Sequence, residues 1–390
     1  MDVVDLLSEL VAIDSTNRTI APDGAGERAM AAALDGLLVD LGFTVVQHEV
    51  TPGRPNVVGV RAGTPGAPTI LLEAHLDTVP TPPGLVLTRT ADRLGGRGSC
   101  DCKGALAAML VAINQVTSGS GTVPIPTIVV AGSVDEEAGM TGAAALLGQL
   151  PPVDVAIIAE PTSLVPVRAH NGIVRCRVRA GGRAAHTSLA HLGVNAVAAA
   201  ATLVARVERD VVPKLVASPD PLTGPALLTA AQIRGGTAPN VVPSNCEIVF
   251  DRRTPPGLSP DHAFDQLDAV IADLVFEGHD ITRDDPFVSL AGLDLPATHP
   301  AATWLAAAAA DVTGTPAELG GVAFATDACQ LSGVGSIPCL VLGPGSIDQA
   351  HTADEWVDLH QVHAAVDIYA TALRTTSALG PVISNHPRNS

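Results

Sequence analysis

Aromatic residues are scarce in this chain, with two Trp, one Tyr and six Phe among 390 residues. Any core must therefore be built from Ala, Val, Leu and Ile. Apolar residues make up 47% of the sequence, so a disordered chain is excluded. Lysine is nearly absent, occurring only at Lys103 and Lys214, and the formal net charge is −18. So acidic a chain, with no basic stripe, repels nucleic acid and anionic membrane surfaces. No run of about 20 apolar residues is present, so no segment reads as a membrane span. The opening segment MDVVDLLSELVAI is an acidic amphipathic helix pattern, without the basic start and long apolar stretch of a secretory signal. Six cysteines in a chain of this length do not form a disulfide framework. These absences predict a cytoplasmic protein.

The length is too great for one ordinary core and predicts two domains. Helical periodicity fits 2–13, 25–41 and 103–117, and buried strand runs fit 55–61, 69–74, 127–132 and 153–159. Such alternation predicts an α/β fold with a mixed, largely parallel sheet flanked by helices. The texture changes after Pro166. Segment 173–180, IVRCRVRA, puts Arg175, Arg177 and Arg179 on one face and Val174, Cys176 and Val178 on the other, as in a half-exposed strand. A helix at 193–209, strands at 227–234 and 245–253, and a helix at 259–276 complete a βαββαβ-like order. The strand–helix pattern then resumes with a helix near 299–313, a strand at 337–342 and a helix at 358–375. We therefore expect a domain formed by 1–169 and 286–390, interrupted by an inserted α+β domain at 170–285.

Ligands of open α/β sheets bind beyond the carboxyl ends of the strands. Five segments bring His or carboxylate to that edge: His75 and Asp77 in EAHLDTVP, Asp101 in RGSCDCKGA, Glu136 and Glu137 in SVDEEAG, Glu160 in AEPT, and His351 in AHTADE. Each alone has an ordinary explanation. A strand-end His is commonly a surface residue, Asp101 could cap the helix that follows it, and DEE could be a solvated patch. Together the carboxylates would repel one another strongly without cations. With two His among them, the set predicts a site for two divalent metals. One metal can take His75, Asp101 and Glu160, and the other Asp101, Glu137 and His351, with Asp101 bridging. Asp77 is close enough in sequence to accept the second ring N–H of His75 and fix its tautomer. Glu136 then serves as the base that takes a proton from water and gives it to a leaving amine.

The stretches HLDTVP (75–80), GRGSCDCKGALAAML (96–110), SVDEEAG (133–139), AEPT (159–162), GGRAAHTS (181–188), GGTAPNVVPSNCEIVFDRR (235–253) and GPGSIDQAHTADEWV (343–357) resemble, in order, the motifs of the dinuclear-zinc amidohydrolases. That family includes acetylornithine deacetylase, succinyl-diaminopimelate desuccinylase, aminoacylase-1 and glutamate carboxypeptidase. The resemblance implies a zinc-exopeptidase-like catalytic domain and an inserted ferredoxin-like lid through which a homodimer forms. It implies two divalent ions, zinc first, with cobalt or manganese as alternatives. It implies that His186 reaches across the dimer to a tetrahedral oxyanion, and that Asn240 and Arg253 hold a substrate carboxylate. Gly343 and Gly345 match a loop where backbone N–H groups approach the substrate, and the Asp101–Cys102 peptide is expected to be cis. Cys100 and Cys102 are read as neighbours of the ligand Asp101, and Asp327 as a residue near the site.

The expected activity is hydrolysis of the amide bond of an N-acyl amino acid, of deacetylase or desuccinylase type. A dipeptidase or carboxypeptidase, or an N-carbamoyl amino acid hydrolase, would use the same machinery. A non-catalytic binding protein on this scaffold would have lost Glu136 or a ligand, and this sequence has lost neither.

Overall fold

The computed structural model of the chain describes residues 1–118, 124–316 and 318–380. The described residues divide into two compact units: those of 1–168, 295–321 and 326–380 form the first, and those of 169–294 with 322–325 the second.

The first unit is built on a mixed sheet. Its strand order is Thr44–Thr51, Arg54–Arg61, Thr127–Ser133, Thr69–His75, Val155–Ile158, Cys339–Val341, Val167–His170. Thr69–His75 pairs in parallel with Thr127–Ser133 on one side and Val155–Ile158 on the other, and Val155–Ile158 pairs in parallel with Cys339–Val341. These are the continuous apolar runs of the sequence, and Ile70, Leu71, Leu72, Val129, Val130, Ile157 and Leu340 are all buried. Parallel pairing puts the carboxyl ends of all four strands at one edge. His75 lies opposite Ser133 in the register, so their following turns leave the sheet side by side.

Several strands have no counterpart in the sequence pattern, among them Thr44–Thr51, Val167–His170 and Asp280–Arg283. Thr44–Thr51 forms an antiparallel hairpin with Arg54–Arg61 at the sheet edge. Its residues are exposed or half-buried along their whole length. An edge strand of this kind has no apolar run to announce it.

The helices follow their caps and apolar faces. Val3–Val11 starts at Asp2, whose Oδ1 accepts the N–H groups of Val4 and Asp5, both at 2.9 Å. It buries Val3, Val4, Leu6, Leu7 and Leu10. Pro300–Thr313 places Pro300 in its first turn, where the missing N–H has no intrahelical partner to lose. Gly104–Thr117 is apolar on nearly every side and is sandwiched in the core, against Leu359–Arg374 among others. Within Leu359–Arg374, the buried Tyr369 donates its hydroxyl to the carbonyl of Leu342 at 2.6 Å. That bond ties the helix to the strand end from which Gly343 and Gly345 emerge. Among the described residues, no helix is long and apolar enough to cross a membrane.

The second unit has the ferredoxin-like order. Strands Leu227–Gly235, Asn245–Thr254, Gly172–Gly181 and Asp280–Arg283 lie side by side in that sequence, all antiparallel. Helices Ala196–Arg206 and Asp265–Phe276 bury Ala200, Leu203, Leu267 and Leu274 in the same cluster as Val174, Cys176, Val178 and Phe250. On the opposite face Arg175 meets Asp251 at 2.7 Å and Arg179 meets Asp284 at 2.7 Å. The alternation of IVRCRVRA is thus a sheet strand with one apolar and one salt-bridged face.

Replacing Tyr369 by Phe is expected to cost about 1–2 kcal/mol of stability, because the Leu342 carbonyl loses its buried donor. Urea unfolding measures this, and an unchanged midpoint would show that the bond contributes nothing.

Candidate metal centre

The six predicted residues His75, Asp101, Glu136, Glu137, Glu160 and His351 all lie in the first unit. His75 ends its strand, and its Nδ1 lies 2.9 Å from the backbone carbonyl of Asp77. A carbonyl can only accept, so Nδ1 carries the proton and the neutral ring presents the Nε2 lone pair. Nε2 faces Asp101 Oδ1 at 2.8 Å, and with no cation between them the ring takes a second proton and donates it to that oxygen. The other Asp101 oxygen, Oδ2, lies 3.2 Å from His351 Nε2. His351 Nε2 is also 2.9 Å from Glu137 Oε2. One carboxylate therefore stands between two imidazoles, with one oxygen for each.

Donor atoms of His75, Glu136 and Glu160 lie within 4.8 Å of one another, and so do those of His75, Asp101 and Glu137. These groupings differ from the expected ones: Asp101 is absent from the Glu160 group and His351 from both. His75 belongs to both, and Glu136, expected as the base alone, stands among the ligands of the first. No cysteine enters either group. Cys100 and Cys102 are buried beside Asp101, with their Sγ atoms 3.4 Å from the Ser346 carbonyl and 3.6 Å from the His75 carbonyl.

The charges make a cation site of this cluster. Burial, and then the neighbouring carboxylate of Glu160, push Glu136 well above the usual glutamate range. Burial and then Asp101 push Glu160 well above it, and push Glu137 up as well. Burial opposes the charge on Asp101, yet its bonds to His351 and His75 hold it low. His351 is pushed up to about 10 by the same bond to Asp101 and by Glu137. Without a cation, then, the cluster holds protons that it would not otherwise hold. Imidazole nitrogen with carboxylate oxygen is the donor set of zinc and its neighbours. The residues fit two divalent ions.

Asp77 acts differently from expectation. Its carboxylate Oδ1 is 3.7 Å from His75 Nδ1, too far for a hydrogen bond, and the backbone carbonyl of the same residue fixes the ring instead. The carboxylate accepts the backbone N–H groups of Glu136 at 3.1 Å and Glu137 at 3.2 Å. It thus clamps the turn that carries Glu136 and Glu137. Asn17, which no motif marks, donates Nδ2 to Asp77 Oδ2 at 2.6 Å. Asp135, with φ of 69°, is held in the left-handed region. Its carboxylate accepts from Thr19 Oγ1 at 2.9 Å, Thr141 Oγ1 at 2.8 Å and the Arg54 guanidinium at 3.0 Å. Arg54 is in turn gripped by the fully buried Glu27.

Asp101 does not cap the helix that follows it. Its peptide with Cys102 is cis. Lys103 is buried and donates to the Ile13 carbonyl at 2.7 Å, and burial pulls its amine down to about 8. Asp327 is buried, and with Glu73 it flanks the Ser133 hydroxyl at 2.6 and 2.7 Å. A single hydroxyl hydrogen serves only one of two carboxylates. Burial accordingly pushes Asp327 up to about 6 and Glu73 well above its usual range.

Gly343 and Gly345 use their own N–H groups within the fold. The N–H of Gly343 is committed to Thr162 Oγ1 at 3.2 Å and that of Gly345 to Gln361 Oε1 at 2.8 Å, so neither awaits a substrate. Both are glycines because of close approach. A Cβ at Gly343 would lie 2.5 Å from the Glu160 carbonyl oxygen, and one at Gly345, where φ is 84°, would lie 2.5 Å from Cys100 Sγ. They pack the ligand segments together.

His186, Asn240 and Arg253 belong to the second unit. Ser188 donates its N–H to His186 Nδ1 at 3.2 Å, which leaves the ring proton on Nε2 as a donor. The exposed Asn240 lies in the neighbouring turn, whose carbonyl accepts the Thr187 N–H at 3.1 Å. Arg253 is not with them. It sits at the far end of strand Asn245–Thr254, bonded to Asp251 at 2.8 Å. Eight residues of strand separate that end from Asn245, about 25 Å at the usual rise.

Known proteins agree with this geometry. Residues 71–375 match the family described as Peptidase family M20/M25/M40. The chain is 31% identical over 399 residues to the acetylornithine deacetylase of Vibrio cholerae, covering 95% of this chain and 97% of that protein. It is 31% identical over 372 residues to the acetylornithine deacetylase of Proteus mirabilis, covering 91% and 92%. In fold it is similar to a tripeptidase of Staphylococcus aureus, with a TM-score of 0.80 at 20% identity over 96% of this chain and 98% of that one. It is similar also to a dinuclear metal binding peptidase of Bacillus subtilis, with a TM-score of 0.72 at 14% identity over 96% and 97%. The family match spans most of the sequence and two imidazoles converge on one carboxylate: the chain belongs to peptidase family M20/M25/M40 and is a metal-dependent hydrolase.

Proposed function

We propose that the protein hydrolyses the amide bond of an N-acyl amino acid, in the manner of a deacetylase or desuccinylase. The observation that carries this is Asp101, which has one oxygen at His75 and the other at His351, while Glu136 stands beside His75 and Glu160. The identity to acetylornithine deacetylases supports an acylated amino acid over a longer peptide. We assign His75, Asp101 and Glu160 to one zinc ion and Asp101, Glu137 and His351 to the other. When bound, such a pair supplies an acidified water and polarises the amide carbonyl.

The remaining work falls to side chains. Glu136 takes a proton from the attacking water and delivers it to the departing amide nitrogen. Its burial among carboxylates suits it to hold that proton in between. Asp77 keeps Glu136 and Glu137 in place through their backbone N–H groups. His186, a donor at Nε2, stabilises the oxyanion of the tetrahedral intermediate. Asn240 and Arg253 hold the substrate carboxylate. His186 and Asn240 share one end of the second unit while Arg253 occupies the other. We assign His186 to the partner subunit's contribution, in a homodimer formed through the second unit.

A Glu136→Gln variant should bind its metals normally and lose about 10²–10⁴-fold in turnover of N-acetyl or N-succinyl amino acids. Full turnover would remove Glu136 as the base. Mixing inactive Glu136→Ala and His186→Ala subunits should restore activity, because each hybrid dimer holds one complete site. No recovery after subunit exchange would place His186 in its own protomer's site, or outside any.

Metal removal gives a third test. In chelated protein His351 is raised from 6.5 towards about 10, and Glu136, Glu137 and Glu160 are raised above their usual values. All four then bind more protons folded than unfolded, so stability falls as pH rises. The melting temperature of the metal-free protein should drop between about pH 6.5 and 9, while metal-loaded protein varies little. Equal slopes for the two would show that the cluster does not exchange protons for metal.

A further inference from the structure

Arg97 and Glu355 form a buried ion pair, with Arg97 8% and Glu355 1% exposed. The chain brings them together through a small sheet in which Trp356–Asp358 pairs with Arg93–Gly95, next to both residues. The Gly96 N–H also donates to the Glu355 carbonyl at 3.0 Å. A buried pair of this kind needs no role beyond mutual satisfaction, and as such contributes little to stability. The other contacts of this pair set it apart.

Glu355 Oε1 accepts the backbone N–H of Cys100 at 3.0 Å and that of Asp101 at 3.2 Å. Its other oxygen receives Arg97 Nη1 at 2.5 Å. Arg97 Nη2 donates to the Thr352 carbonyl at 3.2 Å, one residue beyond His351. Arg97 Nε donates to the Pro80 carbonyl at 3.3 Å, on the segment leaving His75. One guanidinium and one carboxylate thus join the three chain segments that carry His75, Asp101 and His351. Those are the residues that meet across the Asp101 carboxylate. The arrangement parallels Asp77, which grips the two N–H groups of the Glu136–Glu137 turn in the same way.

We propose that Arg97 and Glu355 are positioning residues that set the spacing of His75, Asp101 and His351, and with it the affinity for the second divalent ion. They touch no reacting atom. Outer partners of metal ligands typically govern affinity by 10–100-fold. The inference rests on the two-metal reading above.

The test uses the full chain and zinc alone, titrated against a chromophoric chelator, with circular dichroism as a check of fold. Glu355→Gln keeps the volume and an acceptor oxygen, and Arg97→Lys keeps the charge but cannot span three partners. The parent should bind two ions. Each variant should keep its fold and bind the weaker ion about 10–100-fold less tightly. Parental affinity for both ions in both folded variants would overturn the proposal, whatever their melting temperatures. Loss of fold in both would make the pair purely structural and overturn it equally. A parent that binds fewer than two ions would instead bring down the two-metal reading itself.

Discussion

The carboxylate of Asp101, standing between the rings of His75 and His351, is the constraint around which the first unit is arranged. Two imidazoles and three further carboxylates meet at the sheet edge, in surroundings that mostly exclude water. Such a cluster is unfavourable unless something positive shares it. The structure answers with geometry that suits cations. The Asp77 carbonyl fixes the His75 tautomer, each Asp101 oxygen faces a ring nitrogen, and Glu136, Glu137 and Glu160 close in from the neighbouring strand ends.

Holding these groups at such distances requires support from behind. The backbone supplies the coarse placement, since parallel strands end at a common edge. Finer placement comes from carboxylates that grip backbone N–H groups in pairs: Asp77 for the Glu136–Glu137 turn and Glu355 for Cys100–Asp101. Buried guanidiniums neutralise the ends of this scaffold, Arg97 at Glu355 and Arg54 at Glu27 and Asp135. The glycines at 343 and 345 are part of the same packing, for a side chain at either would push the ligand segments apart.

Much of this was legible in the sequence, for physical reasons. The buried parallel strands read clearly because both their faces need apolar residues, and the polar residue after each strand marks the functional edge. IVRCRVRA declared a half-exposed strand through its period of two. The edge strand Thr44–Thr51 was not legible, since its residues are exposed or half-buried and it has no apolar run. The supporting residues were harder still. Asn17, Thr19 and Arg54 lie 60 to 118 residues from the Asp77 and Asp135 carboxylates they bind, and nothing local in their segments points there. Glu355 stood in a quoted motif, yet its partners Arg97 and Asp101 lie 258 and 254 residues away. The Asp77 carboxylate was assigned to the wrong partner because sequence proximity to His75 cannot distinguish a side chain from a backbone carbonyl.

The central claim is that Asp101 bridges two metal ions. Anomalous diffraction at the zinc edge from zinc-loaded crystals tests it most directly. The account predicts two peaks about 3.5–4 Å apart on either side of the Asp101 carboxylate, one on the His75 side and one on the His351 side. A single peak, or two peaks that do not share Asp101, would contradict it.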